Sequence, residues 1–223
     1  MSLWIKICGN TSLADAQLAV DSGADAVGFI LAPSPRRVTP EQVARITPYL
    51  PETVEKIGVF VDSNYAEISS IVEQCALTGA QLHSESPTEL AAQLRHRFGP
   101  DFRILQVIHY GPDAASQLAA IAAGTPIDGV LVDSRTATAV GGTGIAYDWA
   151  VARESLFSAE RPLKLVAAGG LSPANVADAI AMLQPWGVDA VSGVELFPGV
   201  KDPAKVAAFL QAARGAFAKH KTA

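Results

Sequence analysis

Charge is scarce in this sequence. Asp, Glu, Lys and Arg make up 17% of its 223 residues, and the basic ones form no stripe of the kind a nucleic-acid surface needs. The net charge of −5 and a pI near 5.3 point the same way. Cysteine is nearly absent. Cys8 and Cys75 are the two, they lack zinc-ligand spacing, and free thiols in a cytoplasmic protein are the simplest expectation. No apolar run approaches the ~18 residues of a membrane span, and Lys6 interrupts the apolar N-terminus too early for a secretory signal. Neither a linker nor a low-complexity tract divides the chain, so residues 1–223 read as one domain.

What the sequence does have is apolar material in alternating blocks. Hydrophobic residues are 49% of the chain, enough for a large core. Short Val- and Ile-rich runs are expected as strands at Leu3–Cys8, Ala26–Leu31, Lys56–Val61, Gly79–His83, Arg103–His109, Gly129–Asp133, Lys164–Ala168 and Ala190–Val194. Their continuous apolarity suits strands buried on both faces of a parallel sheet. A helical pattern follows each. Ser12 is placed to cap Leu13–Asp21, Thr39-Pro40-Glu41-Gln42 is a capping-box pattern, and Val206, Phe209, Leu210 and Ala213 recur at helical spacing. Eight such repeats fit a (β/α)8 TIM barrel. A doubly wound open sheet is the competing fold, but it needs a water-tolerant edge strand and none of the eight resembles one.

In such a barrel the chemistry collects where strands end. Three glycine loops follow the last three strands: Gly141-Gly142-Thr143-Gly144, Ala168-Gly169-Gly170-Leu171 and Ser192-Gly193-Val194-Glu195. Glycine lets backbone N–H groups approach an anion, so a phosphate site is expected there, although tight turns alone would also account for them. Ser172 reads as a helix N-cap rather than a ligand. Cys8, ending strand one, is either a buried small apolar residue or a base. Cys75 reads as core. Asp133 closes a buried strand, where an aspartate is unsuited to packing; it either caps a loop or faces the site, and the site is the expectation. Asp189 lies just before the expected strand eight and could be a turn residue. Arg36 sits in the stiff loop Pro33-Ser34-Pro35-Arg36 and is suited to gripping a carboxylate, unless it is simply solvated. His83 reads as a core histidine.

Several of these motifs together resemble one family. Lys6-Ile7-Cys8-Gly9, Ser34-Pro35-Arg36, Gly58-Val59-Phe60-Val61, Gln81-Leu82-His83, Asp133 with Gly141-Gly142-Thr143-Gly144, Ala168-Gly169-Gly170-Leu171 with Asn175-Val176, and Ser192-Gly193-Val194-Glu195 before Pro198-Gly199-Val200-Lys201-Asp202 resemble phosphoribosylanthranilate isomerase. The resemblance runs from residue 5 to about residue 210. It implies a cofactor-free and metal-free Amadori rearrangement in tryptophan biosynthesis, with Asp133 as general acid and Cys8 as general base. It also implies that Arg36 holds the anthranilate carboxylate and that Asp189 lies near the sugar hydroxyls. Gly142, Gly144, Gly169, Gly170, Ser192 and Gly193 then form the phosphate cradle. The expected partner is a small phosphorylated substrate, and a monomer is expected rather than a homodimer. Ser84, Ile145 and Val191 depart from the family pattern, which leaves secondary phosphate or loop contacts open. The histidine-pathway aminoaldose isomerases are the nearest rival. They use an aspartate where this chain has Cys8.

Overall fold

The computed structural model describes residues 2–83, 87–122, 126–134, 148–157 and 163–220. Strands and helices alternate along the chain. They are β1 (Trp4–Ile7), α1 (Leu13–Asp21), β2 (Ala26–Ile30), α2 (Pro40–Ala44), β3 (Glu55–Val61), α3 (Tyr65–Gln74), β4 (Gly79–His83), α4 (Pro87–Phe98), β5 (Arg103–His109) and α5 (Ala114–Ala122), then β6 (Gly129–Asp133), α6 (Trp149–Ser155), β7 (Lys164–Ala167), α7 (Val176–Leu183), β8 (Gly187–Ala190) and α8 (Pro203–His220). The eight strands are parallel and close into a barrel, because β1 pairs with both β2 and β8. A small antiparallel hairpin, β9 (Glu195–Phe197) and β10 (Val200–Lys201), is inserted between β8 and α8.

Strand alternation divides the buried residues into two sets. Trp4, Ala26, Ile57, Leu105, Val107, Leu131, Val166 and Ala168 fill the barrel interior. Ile5, Ile7, Val27, Phe29 and their counterparts face outward and meet Val206, Phe209 and Leu210 of α8 and the other helices. At the entry end of the strands Trp4 stacks on Trp186, centroids 5.2 Å apart, and Arg103 and Lys164 lie over the Trp186 ring. The aspartates that precede strands are structural. Asp25 Oδ2 accepts from the Ile5 N–H and Arg214, and Asp128 Oδ2 accepts from the Ile104 N–H and Arg95.

Local rules account for most boundaries. The Ser12 side chain accepts from the Asp15 N–H, and Thr39 and Gln42 form the full capping box with Pro40 in the first turn. Cys75 caps α3 at its C-terminus, fully buried, as expected of a core thiol.

Two expectations are corrected. Strand eight is Gly187–Ala190, not Ala190–Val194. Val191 leaves extended geometry at φ −124°, ψ −88°, and Ser192–Val194 coil into a 3-10 turn. That turn seats against the β7 loop so tightly that a Cβ on Gly193 would lie 2.0 Å from the Leu171 carbonyl oxygen. Ser172 does not cap α7. Asn175 is the N-cap, and its side chain turns back on the preceding loop, accepting from the Ser172 N–H at 2.8 Å and donating to the Gly170 carbonyl at 2.9 Å.

Candidate active site

Inward alternation on β1 places Trp4 lowest, Lys6 next and Cys8 at the mouth. Cys8 follows β1 directly and is 2% exposed. Room for its sulfur comes from Gly28 on the neighbouring strand: a Cβ there would sit 2.5 Å from Cys8 Sγ and 3.0 Å from Lys6 Cε. The register pairs Lys6 with Asp189 across β1 and β8, and the Lys6 ammonium donates to Asp189 Oδ1 at 2.8 Å with both groups buried. Asp189 therefore lies inside β8 and pairs with an ammonium; it is not a turn residue before the strand. The same ammonium faces the Cys8 thiol.

Burial pushes the Cys8 thiol up from its ordinary 9.0, against the pull of Lys6 and Lys201 toward the thiolate. Burial also works against the Lys6 charge, but Asp189 and Cys8 outweigh it, so this lysine stays an ammonium.

Across the mouth, Asp133 ends β6. Burial, reinforced by the Asp189 carboxylate, raises its carboxyl from 3.8 to about 7, with the Ser134 N–H and Lys6 partly opposing. Asp133 is thus poised to hold a proton near neutrality. It lines one small pocket together with Gly169, Gly170, Asp189, Val191 and Ser192. Gly169 has φ +80°, and a Cβ on it would meet Ser134 N at 2.4 Å and Asp133 Oδ1 at 2.7 Å. It is glycine because the Asp133 carboxylate and the β6 exit press against it. Gly170, at φ +68°, continues the turn that the Asn175 side chain fastens.

Arg36 is 9% exposed, so it is held rather than solvated. Nε donates to both carboxylate oxygens of Glu195, at 2.9 and 3.0 Å, and Nη2 donates to Oε2 at 2.8 Å. Glu195 also accepts from Lys201 Nζ at 3.2 Å and from the Gly199 N–H at 3.2 Å. Lys201 Nζ in turn donates to the Cys8 carbonyl at 2.6 Å. Burial raises the Glu195 carboxyl, but Arg36 and Lys201 outweigh it and hold it below the ordinary range. Asn10, fully buried, bonds the Ile7 and Gly28 carbonyls through Nδ2 and so fixes the turn after Cys8.

Cys8, Asp133 and Asp189 therefore converge on one barrel mouth with Gly169, Gly170, Ser192 and Gly193. Gly142 and Gly144 lie outside the described residues, as do Ser84 and Ile145.

Four contributors were not singled out in the sequence. Lys6 was legible in principle, because a lysine two residues before Cys8 in an apolar strand must share its inward face. Gly28 carries no local signal, and Glu195 and Lys201 stand in the quoted motifs with no sign of the distant Arg36 and Cys8 that they bind. His83 is not a satisfied core histidine. It ends β4 at the mouth, 6.0 Å from His109 between ring centroids, and its Nδ1 has no hydrogen-bond partner among the described residues. Burial, then His109 and Lys6, lower it to about 4, so it is neutral at pH 7. Among the described residues no cluster of His, Cys, Asp and Glu could hold a metal ion, and no helix is long and apolar enough to cross a membrane.

The model of the N-(5'-phosphoribosyl)anthranilate (PRA) isomerase family matches residues 5–212. The N-(5'-phosphoribosyl)anthranilate isomerase of Magnetococcus marinus is 41% identical over 217 residues, covering 97% of this chain and 97% of its own. A crystal structure of phosphoribosyl anthranilate isomerase in complex with reduced 1-(o-carboxyphenylamino)-1-deoxyribulose 5-phosphate superposes with a TM-score of 0.79 at 33% identity, covering 96% of this chain and 99% of that one. A structure of mutually generated monomers of the dimeric enzyme from Thermotoga maritima gives 0.78 at 33% identity, covering 96% and 99%.

Proposed function

The chain belongs to the N-(5'-phosphoribosyl)anthranilate isomerase family, and from that premise we propose that Asp133 and Cys8 are the acid and the base of its reaction. The enzyme converts N-(5'-phosphoribosyl)anthranilate to 1-(2-carboxyphenylamino)-1-deoxyribulose 5-phosphate in tryptophan biosynthesis. In our reading Asp133 gives its proton to the ribose ring oxygen while the bond from that oxygen to C1 breaks. The nitrogen lone pair forms the C1=N bond of a protonated Schiff base. Cys8, as thiolate, then takes the proton from C2. The C–H electron pair becomes a C1–C2 double bond, and the C1=N pair returns to nitrogen. Ketonisation of the resulting enol, with a proton added at C1, gives the product. The protonated nitrogen is itself the electron sink, so one acid and one base suffice.

The observation that carries this reading is the pairing of a carboxyl raised to about 7 with a thiol beside a buried ammonium, both at the mouth of one barrel. The first can donate at neutral pH, and Lys6 favours the thiolate the second must become. Arg36 is proposed to hold the anthranilate carboxylate with the N–H groups that Glu195 leaves unused. Asp189 is proposed to lie by the sugar hydroxyls. The backbone around Gly142, Gly144, Gly169, Gly170, Ser192 and Gly193 is proposed to cradle the phosphate. Remote phosphate binding then orients C1 and C2 between acid and base.

The test is a coupled assay that generates phosphoribosylanthranilate in situ and follows loss of its fluorescence. Asp133→Asn and Cys8→Ala should each bind the reduced product analogue and lose turnover. Near-normal kcat in either removes that residue from the mechanism. The thiol in place of an aspartate favours the anthranilate substrate, so turnover of the histidine-pathway aminoaldose should be negligible; comparable turnover of both substrates overturns that assignment. A monomer is proposed as the working unit; a dimer mass by light scattering would contradict it. We further propose a cytoplasmic location and a single domain spanning residues 1–223. A stable, separately folding proteolytic fragment would count against the latter.

A further inference from the structure

We infer that Glu195 is a positioning residue that aims Arg36 at the substrate carboxylate, and that the β9–β10 hairpin exists at this rim to deliver it. The inference rests on the reading that Arg36 takes that carboxylate.

The geometry is specific. Glu195 grips Arg36 through three hydrogen bonds along one edge of the guanidinium. Such a fork fixes the plane of the group as well as its place. Five N–H groups are available on a guanidinium. The fork occupies Nε–H and one N–H of Nη2, so the remaining three present a second edge of fixed orientation. Glu195 is itself immobilised. It is 4% exposed, its Oε1 accepts from Lys201 and the Gly199 N–H, and its backbone carbonyl accepts from Lys205 at 2.8 Å. The hairpin that carries it is tied to the β1–α1 segment, through Thr11 Oγ1 to the Gly199 carbonyl at 2.6 Å and the Lys201 N–H to Asp15 Oδ1 at 3.0 Å. Gly9 has φ +72°, and a Cβ there would lie 2.9 Å from Arg36 Cδ, so the backbone is cut back to let the arginine stem pass.

A stability role alone accounts poorly for this arrangement. Burying Arg36, Glu195 and Lys201 together carries a desolvation cost that apolar side chains of similar volume avoid. One carboxylate also serves two cations, so Arg36 is oriented without being fully neutralised and keeps attraction for a second anion. A long side chain ordered before the ligand arrives loses less freedom on binding. Lys201 extends the same frame to the Cys8 carbonyl, so the carboxylate grip and the proposed base are referenced to one hairpin.

The experiment compares two ligands by calorimetry: the reduced product analogue, and its phenylamino counterpart lacking only the carboxylate. They are titrated into the wild type, Arg36→Met and Glu195→Gln. Arg36→Met should weaken the carboxylate-bearing ligand selectively. If it weakens both alike, the carboxylate reading of Arg36 falls, and this inference with it. Given selectivity at Arg36, Glu195→Gln should weaken the carboxylate-bearing ligand by about 10- to 100-fold and the phenylamino ligand by less than about 3-fold. Its KM for substrate should rise while kcat changes little. Equal weakening of both ligands, or of neither, overturns the inference while leaving Arg36 in place. Should Glu195→Gln not accumulate folded, Glu195→Asp keeps the charge one methylene short of Arg36, and the same ratio decides.

Discussion

Replacing Asp133 with asparagine should cut turnover severely and stabilise the fold, and the stabilisation should exist only at neutral and alkaline pH. The carboxyl goes from an ordinary 3.8 when exposed to about 7 in the folded chain. A raised folded pKa means that the native state binds this proton more tightly between those two values. Stability from this group is therefore complete below 3.8, is lost as pH rises toward 7, and stays lost above. At about 1.36 kcal/mol per pH unit, the wild type carries a ceiling of about 4 kcal/mol of ionisation cost at pH 8. Asparagine never ionises, but its amide must find acceptors in a buried site, which costs about 1–3 kcal/mol. The net gain at pH 8 is then about 1–3 kcal/mol, or about 3–10 °C in Tm for a chain of this size. Near pH 4 the gain should vanish or reverse. The same substitution removes the proton donor and should lower kcat by about 10²–10⁴-fold. The assay is Tm by circular dichroism for both proteins from pH 4 to 9, beside the fluorescence assay. In the wild type, kcat/KM should rise with pH as the Cys8 thiolate fraction grows and stop rising as Asp133 ionises through about 7. A variant destabilised equally at every pH, or one with near-normal kcat, would refute the argument that desolvation sets the state of this carboxyl.

Three further outcomes follow from the same geometry. Gly28→Ala puts a Cβ 2.5 Å from Cys8 Sγ; it should destabilise by about 1–3 kcal/mol in urea titration and displace the thiol enough to cut kcat, while Cys8→Ala in the same background restores most of the stability and none of the activity. Lys6→Met leaves the buried Asp189 carboxylate unpaired and should cost about 3–5 kcal/mol; Lys6→Met with Asp189→Asn should recover much of that by chemical denaturation while remaining inactive. Iodoacetamide should modify Cys8 slowly at pH 7, because burial keeps it a thiol, and faster as pH rises; rapid labelling at pH 7 of the folded wild type would contradict this.

The barrel was legible because its signals are local. Val- and Ile-rich runs such as Gly129–Asp133 and Arg103–His109, together with caps at Ser12 and Thr39, mark elements without reference to distant residues. The error at strand eight has a local cause as well. Ala190-Val191 continues an apolar run, and only the docking of Gly193 on the Leu171 carbonyl turns the chain at Val191. Ser172 failed as a cap for a similar reason, since Asn175 bonds back to the loop rather than forward into the helix.

The sequence by itself determined the alternating parallel architecture, the strand ends at which Cys8 and Asp133 stand, and the glycine loops after β7 and β8, because hydrophobic periodicity and backbone freedom are properties of short segments. Only the tertiary structure decided what those groups experience. Asp133 reaches about 7 through burial near Asp189. Cys8 meets Lys6 over Gly28. Arg36 is aimed by a glutamate 159 residues away. Desolvation and charge pairing act through space, and closing eight strands into one ring is what brings these distant residues within their reach.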